Sequence, residues 1–253
     1  MITKFLNNDV IWLESVDSTN EEIKRRIQNF SKTTWIIAKN QSKGKGRNGN
    51  GWLSGAGNFS GSVLLFPTVE RSYFHLYGFF VGVALHNTIK KIARDGVDIR
   101  LKWPNDLMIE NGKIAGILLE SVHDPNSRRI GVIVGVGVNL NSAPKISADD
   151  TNRYNAQCVA KFTNCKIDQS TFFSKFNNEL KELGSFVAEK DLCSILDFWK
   201  PRSYDIGTVI QISDNKGGIN TGTFLGLDEI GGLIVSDNSG TKKIYSGDVY
   251  FGS

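Results

Sequence analysis

The stretch Lys102-Trp103-Pro104-Asn105-Asp106-Leu107 is followed, after Asn111-Gly112, by Lys113-Ile114-Ala115-Gly116-Ile117-Leu118-Leu119-Glu120. No other part of the chain constrains its folding as much. Asn-Gly is the strongest short hairpin signal because both turn positions of the favoured two-residue loop need positive φ, so a tight return is predicted at 111–112. Proline has no amide to give a central ladder, so Pro104 marks a strand end, where side chains can face a ligand. A strand therefore arrives at Pro104, a polar pair follows, and the hairpin returns Lys113 beside a buried apolar strand. Cations and polar groups gathered at strand ends suit an anionic, hydrogen-bonding ligand. Taken alone, an ordinary hairpin with solvated lysines accounts for the same residues equally well.

Around this region the elements are well punctuated. Val10-Ile11-Trp12-Leu13 predicts a short strand, and Ser18-Thr19-Asn20-Glu21-Glu22 opens a helix running to about Asn29. Ser18 with Glu21, and Thr19 with Glu22, both fit the capping-box spacing. Thr33 to Ala38 predicts a strand, followed by a polar glycine-rich loop over Gln41–Gly51 and a strand over Asn58–Phe66. Apolar residues at Leu76, Phe80, Val83, Ala84 and Ile89 share one helical face, so a long buried helix is predicted over Tyr73–Ala93. The near-continuous apolar run Ile130–Leu140 reads as a strand buried on both faces.

Segment 141–167 reads as irregular, with a short helix near Tyr154–Lys161. Helices follow over Ser170–Val187 and Leu192–Trp199. After Pro201 the texture changes to short strands (Thr208–Ile212, Thr221–Leu227, Leu233–Ser236, Lys242–Tyr245) separated by Gly-, Asn- and Asp-rich turns. A chain of 253 residues exceeds the usual domain of ~100–150. The expected organisation is a large domain over 1–204 and a small β-barrel over 205–253.

Composition excludes several classes. The longest apolar run falls far short of the roughly 20 residues a membrane helix needs, and no apolar segment follows the N-terminus to suggest a signal peptide. Three cysteines without C-x-x-C spacing argue against a disulfide framework or zinc site and for a reducing cytoplasm. His75, His86 and His123 have no metal-ligand spacing. A net charge of +4 suits acidic small ligands, an acidic partner or, weakly, nucleic acid, and so decides nothing.

The second unusual feature is Gly44-Lys45-Gly46-Arg47-Asn48-Gly49-Asn50-Gly51-Trp52. Glycines let backbone amides turn toward an anion, and Lys45 and Arg47 add charge. The loop does not match G-x-x-x-x-G-K-[ST], so it is no P-loop, and a plain surface loop explains it slightly better when taken alone. Trp52 could cover a bound ring or belong to the core. Gly135-Val136-Gly137-Val138-Asn139 could bring backbone close to a ligand, but it opens no helix in a Rossmann setting.

Together these blocks resemble the catalytic region of biotin protein ligases. The matching elements, in order, are Asp17-Ser18-Thr19-Asn20, Gln41 with Gly44-Lys45-Gly46-Arg47 and Trp52, Gly57-Asn58, Lys102–Leu107, Lys113–Leu118 and Gly135–Asn139. They span roughly residues 10–140, and the later helices and terminal barrel fit the same layout. The resemblance implies an α+β catalytic domain with a mixed sheet, followed by a small barrel of the SH3 type. It implies an ATP-dependent ligase in which the biotin carboxylate attacks the α-phosphate of ATP with Mg2+ assisting, giving biotinyl-5′-AMP. A lysine of the biotin carboxyl carrier domain of acetyl-CoA carboxylase, or of a related carboxylase, then takes the biotin.

Residue by residue, the resemblance implies Lys113 and Arg47 as the catalytic cations. For biotin it implies Ser18, Thr19, Asn20, Gln41, Gly44, Lys45, Arg47, Lys113 and Gly116. For the nucleotide it implies Lys45, Arg47, Trp52, Asn58, Lys102, Asn105, Asp106, Lys113, Leu118 and Asn139, with Asp106 also near the metal. Helix capping remains a complete alternative role for the hydroxyls of Ser18 and Thr19. The glycine loop would close over the adenylate and keep water from it.

The chain departs from the family pattern where Lys45, Asn48 and Asn50 replace arginines, which keeps one charge but loses bidentate geometry. Because the catalytic region starts near residue 10, the reading expects no N-terminal helix-turn-helix and no DNA binding in cis, while sheet-edge pairing allows a homodimer. The competing readings are a lipoate or octanoate ligase of the same fold and a non-catalytic biotin-binding sensor.

Overall fold

The computed structural model describes residues 8–144, 155–187, 189–213 and 219–251. Its larger sheet takes strands from most of the first 156 residues: β1 (Asp9–Val16), β2 (Thr34–Gln41), then, beyond a small separate hairpin of β3 (Gly44–Lys45) and β4 (Gly51–Trp52), β5 (Phe59–Leu65), β6 (Ile99–Lys102), β7 (Asp106–Ile109), β8 (Gly112–His123), β9 (Ile130–Val138) and β10 (Asn155–Ala156). The spatial order is β1-β2-β5-β9-β8-β7-β6, with β10 on β8. β1 runs parallel to β2 and β10 parallel to β8; the other neighbours are antiparallel, so the sheet is mixed as expected.

Strand alternation gives the two faces different jobs. On β9, Val132, Val134, Val136 and Val138 enter the main core, where helix α2 (Leu76–Ile92) and helix α3 (Gln169–Phe186) cover the sheet. Phe59 of β5 and Trp35 of β2 meet Phe172, Phe173 and Phe176 of α3 there, with ring centroids 5.2–6.4 Å apart. Such pairs each contribute about 0.5–1.5 kcal/mol beyond their buried area. The opposite face carries helix α1 (Thr19–Arg25), where Ile23 and Ile27 pack with Ile36, Leu64 and Ile133. Beyond that small cluster the face is lined by Gly135, Gly137, Gly116, Ser60 and Ser62, and it stays open.

The C-terminal strands β11 (Val209–Ser213), β12 (Ile219–Leu227), β13 (Leu233–Asp237), β14 (Gly240–Ile244) and β15 (Asp248–Phe251) form an antiparallel sheet ordered β14-β13-β12-β11-β15. Helix α4 (Ile195–Trp199) leads into it, and Ile210, Leu227, Leu233 and Phe251 join the main core. β15 was not foreseen from the sequence.

Four local expectations are corrected. The turn after β7 is Glu110-Asn111, with Glu110 at φ 51° and Ile109 paired to Gly112, one residue earlier than the Asn-Gly signal suggested. Gly112 instead admits the neighbouring segment, since a Cβ there would fall 2.0 Å from Gln157 Cγ. The capping boxes do not form: Ser18 makes no side-chain cap, Glu21 pairs with Lys24 and Lys45, and Glu22 pairs with Arg25 and Arg26. The segment Gln41–Gly51 is no open loop, because Asn48 (φ 56°) and Gly49 (φ 77°) turn a hairpin that pairs Gly44 with Trp52. Of the helix expected near Tyr154–Lys161, a 3-10 turn occupies Val159–Phe162 and residue 154 lies outside the described residues.

Candidate active site

The open sheet face, α1, the β3–β4 hairpin and the end of β15 enclose a cavity of about 390 Å³. Its floor follows from register. Lys102 pairs with Asp106, Asp106 with Gly116, Gly116 with Gly137, and Gly137 with Ser60, one row across five strands. The next row runs Leu118, Gly135, Ser62. The rows pass from charge, through glycines, to hydroxyls. Simple alternation would turn Lys113 away from Gly116, yet its Nζ lies against that glycine, 3.5 Å from where a Cβ would stand. The cause is a register shift: Leu107 pairs with Ala115 but Met108 with Lys113, leaving Ile114 as the extra residue. A bulge of this kind re-aims a side chain, and here it puts Lys113 into the cavity.

One end of the cavity is uncharged. Thr19 Oγ1 lies 2.6 Å from Ser62 Oγ and donates to Gln41 Oε1 at 3.2 Å, while the Thr19 amide donates to the same oxygen at 2.9 Å. Ser62 donates to Asn20 Oδ1 at 2.5 Å, and Asn20 Nδ2 donates to Glu120 Oε2 at 2.8 Å. Ser18, Thr19, Asn20 and Ser62 are all buried. Thr19 is therefore spent on this network and not on capping. The small size of Gly135 makes room for it, since a Cβ there would fall 2.4 Å from Asn20 Oδ1.

The other end is charged. Asp106 is buried, with Lys113 Nζ 2.7 Å from one oxygen and Lys102 Nζ 3.1 Å from the other. Burial raises its pKa, but the two ammonium groups outweigh that and hold it at about 2. Burial also pushes the Lys102 pKa down, against the pull of Asp106. Arg47 is half-buried and donates to Asn105 Oδ1 and the Gly247 carbonyl, each at 3.3 Å, and lies 3.4 Å from Asp248. Four cations against two carboxylates line the cavity, so the field favours an anion. Between the ends, the Trp52 indole lies on the glycine floor: a Cβ on Gly137 would fall 2.4 Å from its Cε2, and Lys113 Nζ sits 5.8 Å from the ring centroid.

The cavity brings together fourteen of the residues named from the sequence: Ser18, Thr19, Asn20, Gln41, Lys45, Arg47, Trp52, Lys102, Asn105, Asp106, Lys113, Gly116, Leu118 and Asn139 all line it. Lys45 does so at the mouth, its ammonium 2.8 Å from Glu21. Gly44 and Asn58 do not line it. Gly44 permits the close crossing of the hairpin, where a Cβ would meet the Trp52 carbonyl at 2.4 Å. Asn58 braces the segment after β9, accepting from the amides of Asn141 and Ser142 at 3.0 and 3.1 Å and donating to the Ser142 carbonyl at 2.8 Å.

Sequence reasoning missed Ser62, Glu120, Asp248 and Tyr250. The alternation of β5 could have pointed to Ser62, but no local signal links Asp248 to a loop 200 residues earlier. Asp106 does not fit a resident Mg2+: both its oxygens are held by lysines, and among the described residues no three acidic, His or Cys side chains cluster.

The Biotin/lipoate A/B protein ligase family model matches residues 12–139, and the Biotin protein ligase C terminal domain model matches residues 206–252. The chain is 30% identical over 240 residues to a biotin--[acetyl-CoA-carboxylase] ligase of Paracoccus denitrificans, covering 95% of this chain and 99% of that one. It is 27% identical to the bifunctional ligase/repressor BirA of Bacillus subtilis, covering 99% of this chain and 76% of the relative. A solved biotin protein ligase from Aquifex aeolicus, in complex with biotin and ATP, superposes with a TM-score of 0.79 at 28% identity, covering 96% of this chain and 98% of the other.

Proposed function

This chain belongs to the biotin/lipoate A/B protein ligase family and is a ligase, and from that premise we propose that it activates biotin with ATP and transfers it to a lysine of a biotin carboxyl carrier domain. The observation that carries the reading is the single sheet face on which a hydrogen-bonding, uncharged end and a cationic end are joined by a glycine floor. A urea-like ring suits the first, where Thr19, Ser62, Asn20 and Gln41 offer both donors and acceptors. A carboxylate meeting a phosphate suits the second, because two anions approach only where fixed positive charge offsets their repulsion.

In the first step a biotin carboxylate oxygen attacks the α-phosphorus of ATP, the bond to the β-phosphate oxygen breaks, and pyrophosphate leaves with the electron pair. Lys113, re-aimed by the bulge and tethered by Asp106, faces the charge that develops between the reacting groups. Arg47 comes from the hairpin and is suited to a bidentate grip on the phosphate once it exchanges Asp248 for the ligand. In the second step a carrier lysine amine attacks the acyl carbon, loses a proton, and expels AMP. Trp52 and its hairpin exclude water from the mixed anhydride in the interval. Mg2+ would enter as the counterion of ATP, held by its phosphates, and no step here runs through Asp106 as a metal ligand. Cytoplasmic carboxylases are the partners this reading names; among the described residues no helix is long and apolar enough to cross a membrane.

The test is biotin-dependent exchange of labelled pyrophosphate into ATP, with lipoate and octanoate as alternative acids, followed by transfer to a purified carrier domain. Exchange with biotin and labelling of one carrier lysine are expected. Exchange with lipoate alone would move the chain to the lipoate branch, and silence with every acid would leave a binding protein.

A further inference from the structure

The nucleotide end of the cavity is held from behind by a turn of the C-terminal sheet whose residues are not among those lining the cavity. Asp228 follows directly after β12 and is buried. Its Oδ1 accepts from the amides of Ile230 (3.1 Å) and Gly232 (2.7 Å), and its Oδ2 accepts from the Tyr245 hydroxyl at 2.8 Å, with Lys243 Nζ 3.5 Å away. The backbone closes the same turn, Asp228 N donating to Gly232 O at 2.9 Å and Gly231 N to Asp228 O at 3.2 Å. Gly231 sits at φ 85°, a conformation that favours glycine, and a Cβ there would stand 3.0 Å from the Phe79 ring. In this fixed position the Gly231 carbonyl accepts the indole N–H of Trp103 at 2.9 Å in a fully buried hydrogen bond.

Trp103 connects Lys102 to Pro104, Asn105 and Asp106, so it stands at the centre of the turn that supplies the charged end. Asn105 is pinned on the far side by reciprocal bonds with Ile117, 2.9 and 2.8 Å long, and offers its Oδ1 to Arg47. That side of the turn is fixed by the sheet itself, whereas the Trp103 side is fixed by another sheet more than a hundred residues away. A buried indole N–H has one donor and no second choice: if Gly231 moves, the ring must shift or leave its donor unpaired at the cost of its desolvation.

We propose that Asp228 is a positioning residue for the nucleotide side of the site: its carboxylate shapes the 228–232 turn, the turn fixes Trp103 through the Gly231 carbonyl, and Trp103 fixes Lys102, Asn105 and Asp106. This rests on reading that end as the ATP side. The consequence is a split between substrates, because the amide-hydroxyl end has no contact with this path.

Three variants test it: Asp228→Asn, which weakens the turn, Trp103→Phe, which removes the N–H together with part of the ring, and the double variant. Biotin-dependent pyrophosphate exchange should show KM for MgATP raised about five- to tenfold in each single variant, KM for biotin within twofold of wild type, and the double variant no worse than the poorer single. Rises in both KM values together, a fall in kcat alone, or full additivity would overturn the proposal and leave the turn as ordinary packing. If Asp228→Asn fails to fold, Trp103→Phe alone decides by the same split. The ATP-induced rise in melting temperature, read without any acid, is the second measurement and should shrink in the variants. It decides the proposal even if the wild type activates lipoate rather than biotin. A wild type whose melting ATP does not raise would overturn this proposal and the ATP reading together.

Discussion

The two ends of the cavity are built on opposite plans. The uncharged end is a linear network, Gln41 to Thr19 to Ser62 to Asn20, drawn from α1, β2 and β5, with Asn20 donating in turn to the Glu120 carboxylate outside the cavity. The charged end is assembled from three separate pieces: the Lys102–Lys113 hairpin, Arg47 of the β3–β4 hairpin, and Asp248 of the C-terminal sheet. Neutral groups can satisfy one another and stay in place, which favours a ligand of fixed shape. Cations cannot satisfy one another, so each is held by a carboxylate until an anion arrives. The neutral groups of one end hold one another, while the cations of the other are each held by a carboxylate, in Arg47's case one 201 residues away.

The largest break in that contrast should come from Lys113→Ala. It removes the cation that faces the developing charge and leaves the uncharged end intact. Loss of one preorganised donor costs roughly 10²–10³ in rate, so exchange turnover should fall by about that much while biotin still binds. Equilibrium dialysis with labelled biotin checks the second half. Wild-type turnover would remove Lys113 from its assigned role.

Next in size is Gly137→Ala, which attacks the floor shared by both ends. The new methyl would stand 2.4 Å from the Trp52 indole, so the ring and its hairpin must move. Overpacking by one methyl destabilises by about 1–3 kcal/mol. Adenylate formation should drop on the order of tenfold or more, with a red-shifted tryptophan emission as the indole meets water. An unchanged emission spectrum would mean the ring does not rest on this glycine.

A smaller effect should follow from Glu120→Gln, confined to the uncharged end. It removes the charge that receives Asn20 Nδ2 and Lys24 Nζ, 2.8 and 2.6 Å away. A hydrogen bond to a charged group is worth about 1.5–3 kcal/mol, and half-exposure trims this, so KM for biotin should rise about tenfold with KM for ATP unchanged. A rise in the ATP value instead would show that the two ends are not separable.

How much of this was legible in the sequence follows the same division. The apolar run Ile130–Leu140 was legible as a buried strand, though not that Gly135 and Gly137 put one of its faces under a cavity, and Pro104 does end a strand, with β6 closing at Lys102 and β7 opening at Asp106. The lining residues near one another in sequence were found through the ordered motifs that resemble those of biotin protein ligases. Arg47's contact with Asp248 was not, because the sequence carries no period that links residues 200 apart. Lys113 was named for the right region through the wrong turn: the Asn-Gly signal put the reversal one residue late, and only the bulge at Ile114, set by pairing with β7, aims the side chain. Asn58 does not line the cavity but braces the segment after β9, and a polar residue at a strand start looks the same in sequence in either role.

The last expected effect is a pH dependence belonging to the charged end alone. Asp106 has its pKa lowered from 3.8 to about 2, so the folded state binds its proton less readily than the unfolded chain does. A depressed carboxylate contributes stability that is fully present above the unfolded value and is lost as pH falls through the folded one. The urea midpoint of the wild type should therefore decline between pH 4 and pH 2 by an amount that Asp106→Asn no longer shows. Across neutral pH the variant should be less stable throughout, since it leaves Lys102 buried without its carboxylate, and breaking a buried pair costs about 3–5 kcal/mol. Equal slopes in wild type and Asp106→Asn would mean that the two lysines do not hold the carboxylate ionised, and the electrostatic account of this end would have to be rebuilt around Arg47.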